Sequence, residues 1–219
     1  MSHFHQNTHS PEETPETTGK VIHWALPYDF LLNRILQPSE ASIRTLAQVK
    51  AGNKVLDVGC GNGRLTIASQ NWVGPSGEAQ GIDPSPEMIA IARRNAGRAD
   101  PTAKFEVGLV EAIPFPEATF DVVLSRLVLH HLPGDLKQRG LAEMRRVLKP
   151  GGVCLVVDFE PPKSPILRHL VENLLSPMAH IDVREYIPLL VEAGFTEVEA
   201  GPTSSKYLSF VRGRSPKIG

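Results

Sequence analysis

Cysteine is scarce: Cys60 and Cys154 are the only two in 219 residues. That is too few for a disulfide framework. Charge of one sign is also lacking. Lys and Arg total 23 against 24 Asp and Glu, a formal net charge of −1. A chain that binds nucleic acid through its surface usually shows a basic excess, so no nucleic-acid partner is expected. Long apolar runs are missing too. Stretches such as residues 153–157 (VCLVV) fall far short of the roughly 20 residues that a membrane-spanning helix requires, so no membrane span is expected. The opening stretch, MSHFHQNTHSPEETPETTGK, lacks the basic-then-apolar order of a secretory signal. The expected location is therefore cytoplasmic, where both thiols stay reduced. The 19 prolines are spread along the chain rather than gathered in a low-complexity block.

What is present is ordered. Residues 1–20 are polar, carry Pro11 and Pro15, and show no apolar period. They read as a flexible tail, with His3, His5 and His9 solvated rather than metal-bound. Residues 21–219 read as one domain, large enough to bury a core. A short amphipathic helix is expected from near Pro27, and a second runs from Ser39, its cap, to about Val49. Apolar strands then alternate with helical segments. Strands are expected at 54–58, 79–82, 103–107, 120–124 and 153–157, and helices at 64–72, 86–95 and 135–148. The last of these helices stops at Lys149-Pro150-Gly151-Gly152. Such alternation predicts parallel βαβ units and a doubly wound α/β sheet. A helix over 181–193 and two strands at 195–200 and 207–212 close the chain, the strands near enough to pair antiparallel. The basic groups Arg93, Arg94, Arg98, Lys137, Arg139, Arg145, Arg146 and Lys149 read as solvated helix faces.

The densest chemistry lies in Val55-Leu56-Asp57-Val58-Gly59-Cys60-Gly61-Asn62-Gly63. Three alternating glycines sit where a buried strand turns into a helix, which permits unusual backbone angles and close approach of a ligand. In an open α/β sheet, the carboxyl end of a strand is where ligands bind. A dinucleotide fingerprint, G-x-G-x-x-G, would place its third glycine at position 64, which is Arg64. Asp57 would moreover repel a diphosphate, whereas a carboxylate suits a positively charged ligand. Twenty residues beyond Gly63, Asp83 ends the second strand. There it can accept hydrogen bonds from both hydroxyls of a ribose, or cap the helix that follows.

Together, VLDVGCGNGRLT, GIDPSPEMIAIARR, GLVEAIPFPEATFDVVLSRLVLHHL and LAEMRRVLKPGGVCLVVDF resemble the class I S-adenosylmethionine-dependent methyltransferases. The likeness is strongest to the small-molecule branch that includes ubiquinone/menaquinone-type and natural-product enzymes. It implies a Rossmann-like, doubly wound seven-stranded sheet in the order 3-2-1-4-5-7-6, with the last strand antiparallel and helices on both faces. It also implies S-adenosyl-L-methionine as the cofactor. Asp57, Gly59, Cys60, Gly61 and Gly63 would hold its methionine part, and Asp83 its ribose diol. Pro84 and Met88 would flank the adenine, the backbone at Val110 and Glu111 would meet the adenine edge, and Ser125 and Arg126 would lie near the amino-acid end. The family often has an acid directly after the glycine of the third segment; here that residue is Leu109.

Methyl transfer asks mainly for alignment and exclusion of water. Where the acceptor must lose a proton, His130 is the candidate base, with Asp158 in support. Both follow neighbouring strands, and some similar O-methyltransferases use a His/acid pair in this way. His131 is a candidate acceptor contact. No metal site is expected, since adjacent residues on a turn should point apart. Segments 21–50 and 161–190, bearing Tyr28, His169, His180 and Tyr186, are expected to form a lid over a small, partly apolar methyl acceptor. The competing readings are a dinucleotide-dependent oxidoreductase and a cofactor-binding regulator without catalysis.

Overall fold

A computed structural model describes residues 39–99, 102–160 and 182–217. The tail at 1–20, the helix near Pro27, Tyr28, His169, His180 and most of both expected lid segments lie outside the described residues.

Seven strands form one sheet. In chain order they are β1 (Lys54–Val58), β2 (Glu78–Asp83), β3 (Lys104–Val107), β4 (Phe120–Arg126), β5 (Leu148–Phe159), β6 (Thr196–Pro202) and β7 (Leu208–Arg214). They lie side by side as β3-β2-β1-β4-β5-β7-β6. The first five are parallel, and β7 runs antiparallel to both β5 and β6. This is the expected order and class. The helices are α1 (Glu40–Leu46), α2 (Arg64–Val73), α3 (Pro86–Ala99), α4 (Gly134–Val147) and α5 (Tyr186–Glu192).

Each central strand is apolar on both faces because each face is covered. On one face Leu56, Val58, Val123, Cys154 and Val156 meet Leu141, Met144 and Val147 of α4 and Tyr186 and Leu190 of α5. On the other, Val55, Val122, Leu124, Leu155 and Val157 meet Ile43 of α1 and Leu65 and Val73 of α2. Burying each such aliphatic side chain contributes about 1.5–3 kcal/mol, which outweighs weak local propensities. The helix starts follow their caps. Ser39 accepts the Ser42 N–H at 3.2 Å to open α1, and Ser85 accepts the Met88 N–H at 3.2 Å to open α3, whose first residue is Pro86. Proline fits there because that N–H has no helical partner.

Three expectations need correction. Lys149-Pro150-Gly151-Gly152 ends α4 but also belongs to β5, which begins at Leu148. Leu148 pairs with Phe120 and Val153 with Val122, so a five-residue step faces a two-residue step. Gly151, at φ +77°, takes up the bulge. Second, β4 continues to Arg126, which places Ser125 and Arg126 on the strand rather than in the loop after it. Third, the basic helix residues are not simply solvated. Arg146 donates to the carbonyls of Ile113 and Phe115, Arg93 to that of Phe105 and Arg145 to that of Gly194. They tie loops to helices.

Candidate active site

The carboxyl ends of β1, β2, β4 and β5 rise together. Asp57 is level with Gly81 of β2 and Leu124 of β4, and Ser125 with Val58 and Val156. Between β1 and α2 the chain turns through Gly59, Gly61 and Gly63 at φ +73°, +53° and +78°. All three lie in the left-handed region that side chains rarely adopt. Their reasons differ. A Cβ on Gly59 would sit 2.3 Å from Val128 Cγ2, and one on Gly63 would sit 2.7 Å from the Phe105 ring and 2.8 Å from Ala92. At those two positions internal packing alone already requires glycine. A Cβ on Gly61 would meet nothing within 4 Å. Of the three, Gly61 faces open space.

Two carboxylates flank the turn. Asp57 is 2% exposed and accepts the Thr66 hydroxyl at 2.7 Å. Burial pushes its carboxyl up to about 6 from the ordinary 3.8, while the Thr66 hydrogen bond and the Arg126 charge act the other way. Arg126 lies two residues beyond Leu124, on the Asp57 side of the sheet, and burial lowers its own titration. Asp83 accepts the N–H of Gly61 at 2.9 Å and of Ser85 at 3.0 Å. The helix is capped by Ser85 instead, so capping does not account for Asp83. Its carboxyl is raised, chiefly by burial.

The remaining expected residues surround these groups. Pro84 bends the chain after β2, and Met88 lies half-buried in the first turn of α3. The loop after β3 is pinned to β2 by Gly108 N–H donating to the Asp83 carbonyl at 3.1 Å. Val110 in that loop is buried in the core, and Glu111 is half-buried. The Ser125 hydroxyl is buried and has no hydrogen-bond partner among the described residues. Both cysteines are free and buried, with the Cys154 thiol pushed up to about 12 by burial.

After Arg126, Leu127 takes φ +59°, and a short 3₁₀ turn over Leu129–His131 follows. This returns His130 to β5. Its Nδ1 lies 2.8 Å from Asp158 Oδ1, and its backbone N–H donates to Oδ2 at 3.2 Å. The His130 side chain is 3% exposed. The rings of His130 and His131 do not point apart: their centroids are 3.8 Å apart, inclined at 46°. Among the described residues, no group of three or more His, Cys, Asp or Glu could hold a metal ion.

Residues 55–152 match the methyltransferase domain family. The match takes in β1 to the start of β5 and the whole glycine turn. Over 126 residues it is 39% identical to an uncharacterised methyltransferase of Schizosaccharomyces pombe, a stretch that takes in 53% of this chain and 44% of that protein. Over 122 residues it is 36% identical to a demethylmenaquinone methyltransferase of Staphylococcus aureus, covering 56% of this chain and 49% of that one. The chain thus spans about half the length of these relatives. Among solved structures, a SAM dependent methyltransferase from Aquifex aeolicus superposes with a TM-score of 0.67 at 23% identity, over 84% of this chain and 93% of that one. That likeness shows a shared fold. No helix among the described residues is long and apolar enough to cross a membrane.

Sequence reasoning missed two contributors to this site. Thr66 is readable in the sequence as a hydroxyl in the first turn of the helix that follows a buried acid. Val128, which presses on Gly59, is joined to the site only by tertiary packing; Tyr186, expected as a polar residue of the lid, is buried with its hydroxyl on Asp158.

Proposed function

We propose that this methyltransferase domain binds S-adenosyl-L-methionine over the ends of β1, β2 and β4 and delivers its methyl group to an O, N or C nucleophile of a small, partly apolar acceptor. The observation that carries the reading is the turn at 59–63, open at Gly61 and flanked by the carboxylates of Asp57 and Asp83.

The residues present fit this cofactor. Asp57 is a buried acid whose ionised form a nearby cation would favour. Gly61 leaves room for close backbone approach, and Ser125 carries a buried hydroxyl free to meet a polar group. Asp57, Gly59, Cys60, Gly61 and Gly63 would hold the methionine part, with Ser125 and Arg126 toward its amino-acid end. Asp83 retains lone pairs on both oxygens for a ribose diol. Pro84 and Met88 would flank the adenine, with the backbone of Val110 and Glu111 at its edge.

When bound, the cofactor supplies a methyl group on a positively charged sulfur with a good leaving group, suited to in-line displacement. The protein's part is to align the acceptor, keep water out and, for a protonated nucleophile, receive the proton. His130, oriented by Asp158, is the proposed base, with His131 and Tyr28 toward the acceptor and segments 21–50 and 161–190 as the lid. The Staphylococcus aureus relative, named for demethylmenaquinone, supports an acceptor with an apolar ring.

Thermal shift of the full chain with S-adenosylhomocysteine and with NAD tests the cofactor. Stabilisation by the first alone is expected, and stabilisation by NAD alone would overturn the reading in favour of an oxidoreductase. Incubation with methyl-labelled cofactor and fractionated metabolites tests the acceptor: label should enter small molecules. Label confined to macromolecules would defeat the small-molecule assignment.

A further inference from the structure

Four polar groups lie within hydrogen-bond reach of the Asp158 carboxyl. Oδ1 receives the N–H of Phe159 at 2.9 Å and the Nδ1 side of His130 at 2.8 Å. Oδ2 receives the backbone N–H of His130 at 3.2 Å and the hydroxyl of Tyr186 at 3.1 Å. The carboxyl is fully buried. Two backbone donors have no alternative role, and four donors occupy both oxygens. With Asp158 ionised, the set is satisfied when all four groups donate to it. An ionised Asp158 in turn requires His130 to present Nδ1–H, which leaves Nε2 as the ring's acceptor in the neutral form.

Three of these donors come from β5 and the turn after β4. The fourth comes from α5, whose first residue is Tyr186. That ring is 2% exposed and packs in the core, with Lys137 Nζ 5.6 Å from its centroid. Burial and the neighbouring Asp158 charge both raise the phenol's titration, so it stays a donor. Other charged groups at this end of the sheet are His131, Glu185, and Glu160 with its partner Arg184.

We propose that Tyr186 is a positioning residue for the base: its hydroxyl fixes Asp158 and takes up part of the carboxylate charge, and so sets how strongly Asp158 holds Nδ1–H of His130. The inference rests on the reading of His130 as the base. In the step it serves, the acceptor's proton passes to Nε2 of His130 and the nucleophile's electron pair forms the bond to the methyl carbon. The methyl–sulfur bond breaks with its pair remaining on sulfur.

Tyr186→Phe removes the hydroxyl and keeps the ring. Nitrogen-15 and proton NMR of the full chain with S-adenosylhomocysteine reads the Nδ1–H of His130 directly. Without the competing donor, Asp158 becomes a stronger acceptor, so the Nδ1–H resonance should move downfield while affinity for S-adenosylhomocysteine is unchanged. Replacing the tyrosines by 3-fluorotyrosine makes the phenol a stronger donor and should move the same resonance upfield; this second measurement stands even where the phenylalanine variant does not fold. A lower melting temperature with the resonance unmoved would overturn the proposal and leave Tyr186 as core packing. Should His130→Gln transfer methyl groups at the unaltered rate, the base assignment would fail, whatever the resonance does.

Discussion

Replacing Asp57 by Asn should make the free protein more stable and its cofactor site worse. The side chain is 2% exposed, and its carboxyl titrates at about 6 rather than 3.8. The folded state therefore holds the proton more tightly than the unfolded chain does. The sign follows directly: stability is greatest below the unfolded value, declines as pH rises from about 4 to about 6, and is flat above that. At about 1.36 kcal/mol per pH unit, the ionised carboxylate costs about 3 kcal/mol near pH 7.5. Asn keeps an oxygen for the Thr66 hydroxyl, so the substitution removes the charge and little else. The loss of a counter-charge for Arg126 makes about 3 kcal/mol an upper bound. Denaturant unfolding of both proteins from pH 4 to pH 8 isolates the effect as a difference. The Asn variant should be more stable at high pH, with the gap closing toward pH 4. Calorimetry with S-adenosylmethionine should show weaker binding by the variant, and binding by the parent should weaken as pH falls through about 6. Parallel stability curves would refute the buried-titration argument. An unchanged affinity would refute the idea that this acid is held at a stability cost in order to meet a cation.

Asp83→Ala should raise the dissociation constant for S-adenosylhomocysteine roughly 30- to 150-fold, from about 2–3 kcal/mol of lost charged hydrogen bonds; an unchanged constant would remove the ribose assignment. Gly63→Ala should lower the melting temperature sharply through its clash with Phe105 and Ala92. Gly61→Ala should cost only about 1–2 kcal/mol of backbone strain while weakening cofactor binding, and equal effects of the two on binding and stability would contradict the division between them. His130→Gln should lower kcat about 100- to 10,000-fold for an acceptor that must lose a proton, with cofactor affinity intact, as read by labelled-methyl transfer.

The parallel strands and the glycine turn were legible because they are written in local patterns, whereas the strand order followed only from the family resemblance. Short apolar runs with helical spacing between them mark covered parallel strands, and alternating glycines mark a turn that side chains cannot make. What the pattern could not carry were features set by partners far along the chain. Leu148 to Gly152 reads as a helix stop, yet it also pairs with β4, because Gly151 absorbs a bulge invisible without the neighbouring strand. The sequence does not show that Gly59 and Gly63 are also required by packing, which only Val128, Phe105 and Ala92 reveal. The meeting of Tyr186 with Asp158 joins residues 28 apart, and nothing in either local segment announces it.

The end of β4 shows how these distant constraints combine. Leu127 adopts a left-handed conformation that costs a non-glycine residue about 1–2 kcal/mol. The conformation is held by its N–H donating to the Val157 carbonyl at 2.9 Å, and by Val128 filling the space that Gly59 leaves empty. Without that reversal, β4 would continue in register beside β5, and residues 128–131 would extend past the sheet edge. With it, Arg126 stays on the Asp57 side, while His130 is brought to Asp158 on the side covered by α4 and α5. The strained residue thus stands between a charge that tunes the glycine-turn carboxylate and a ring that can receive a proton. Because Val128 touches that same turn, the placement of the proposed base and the shape of the proposed cofactor cradle are set by one short segment.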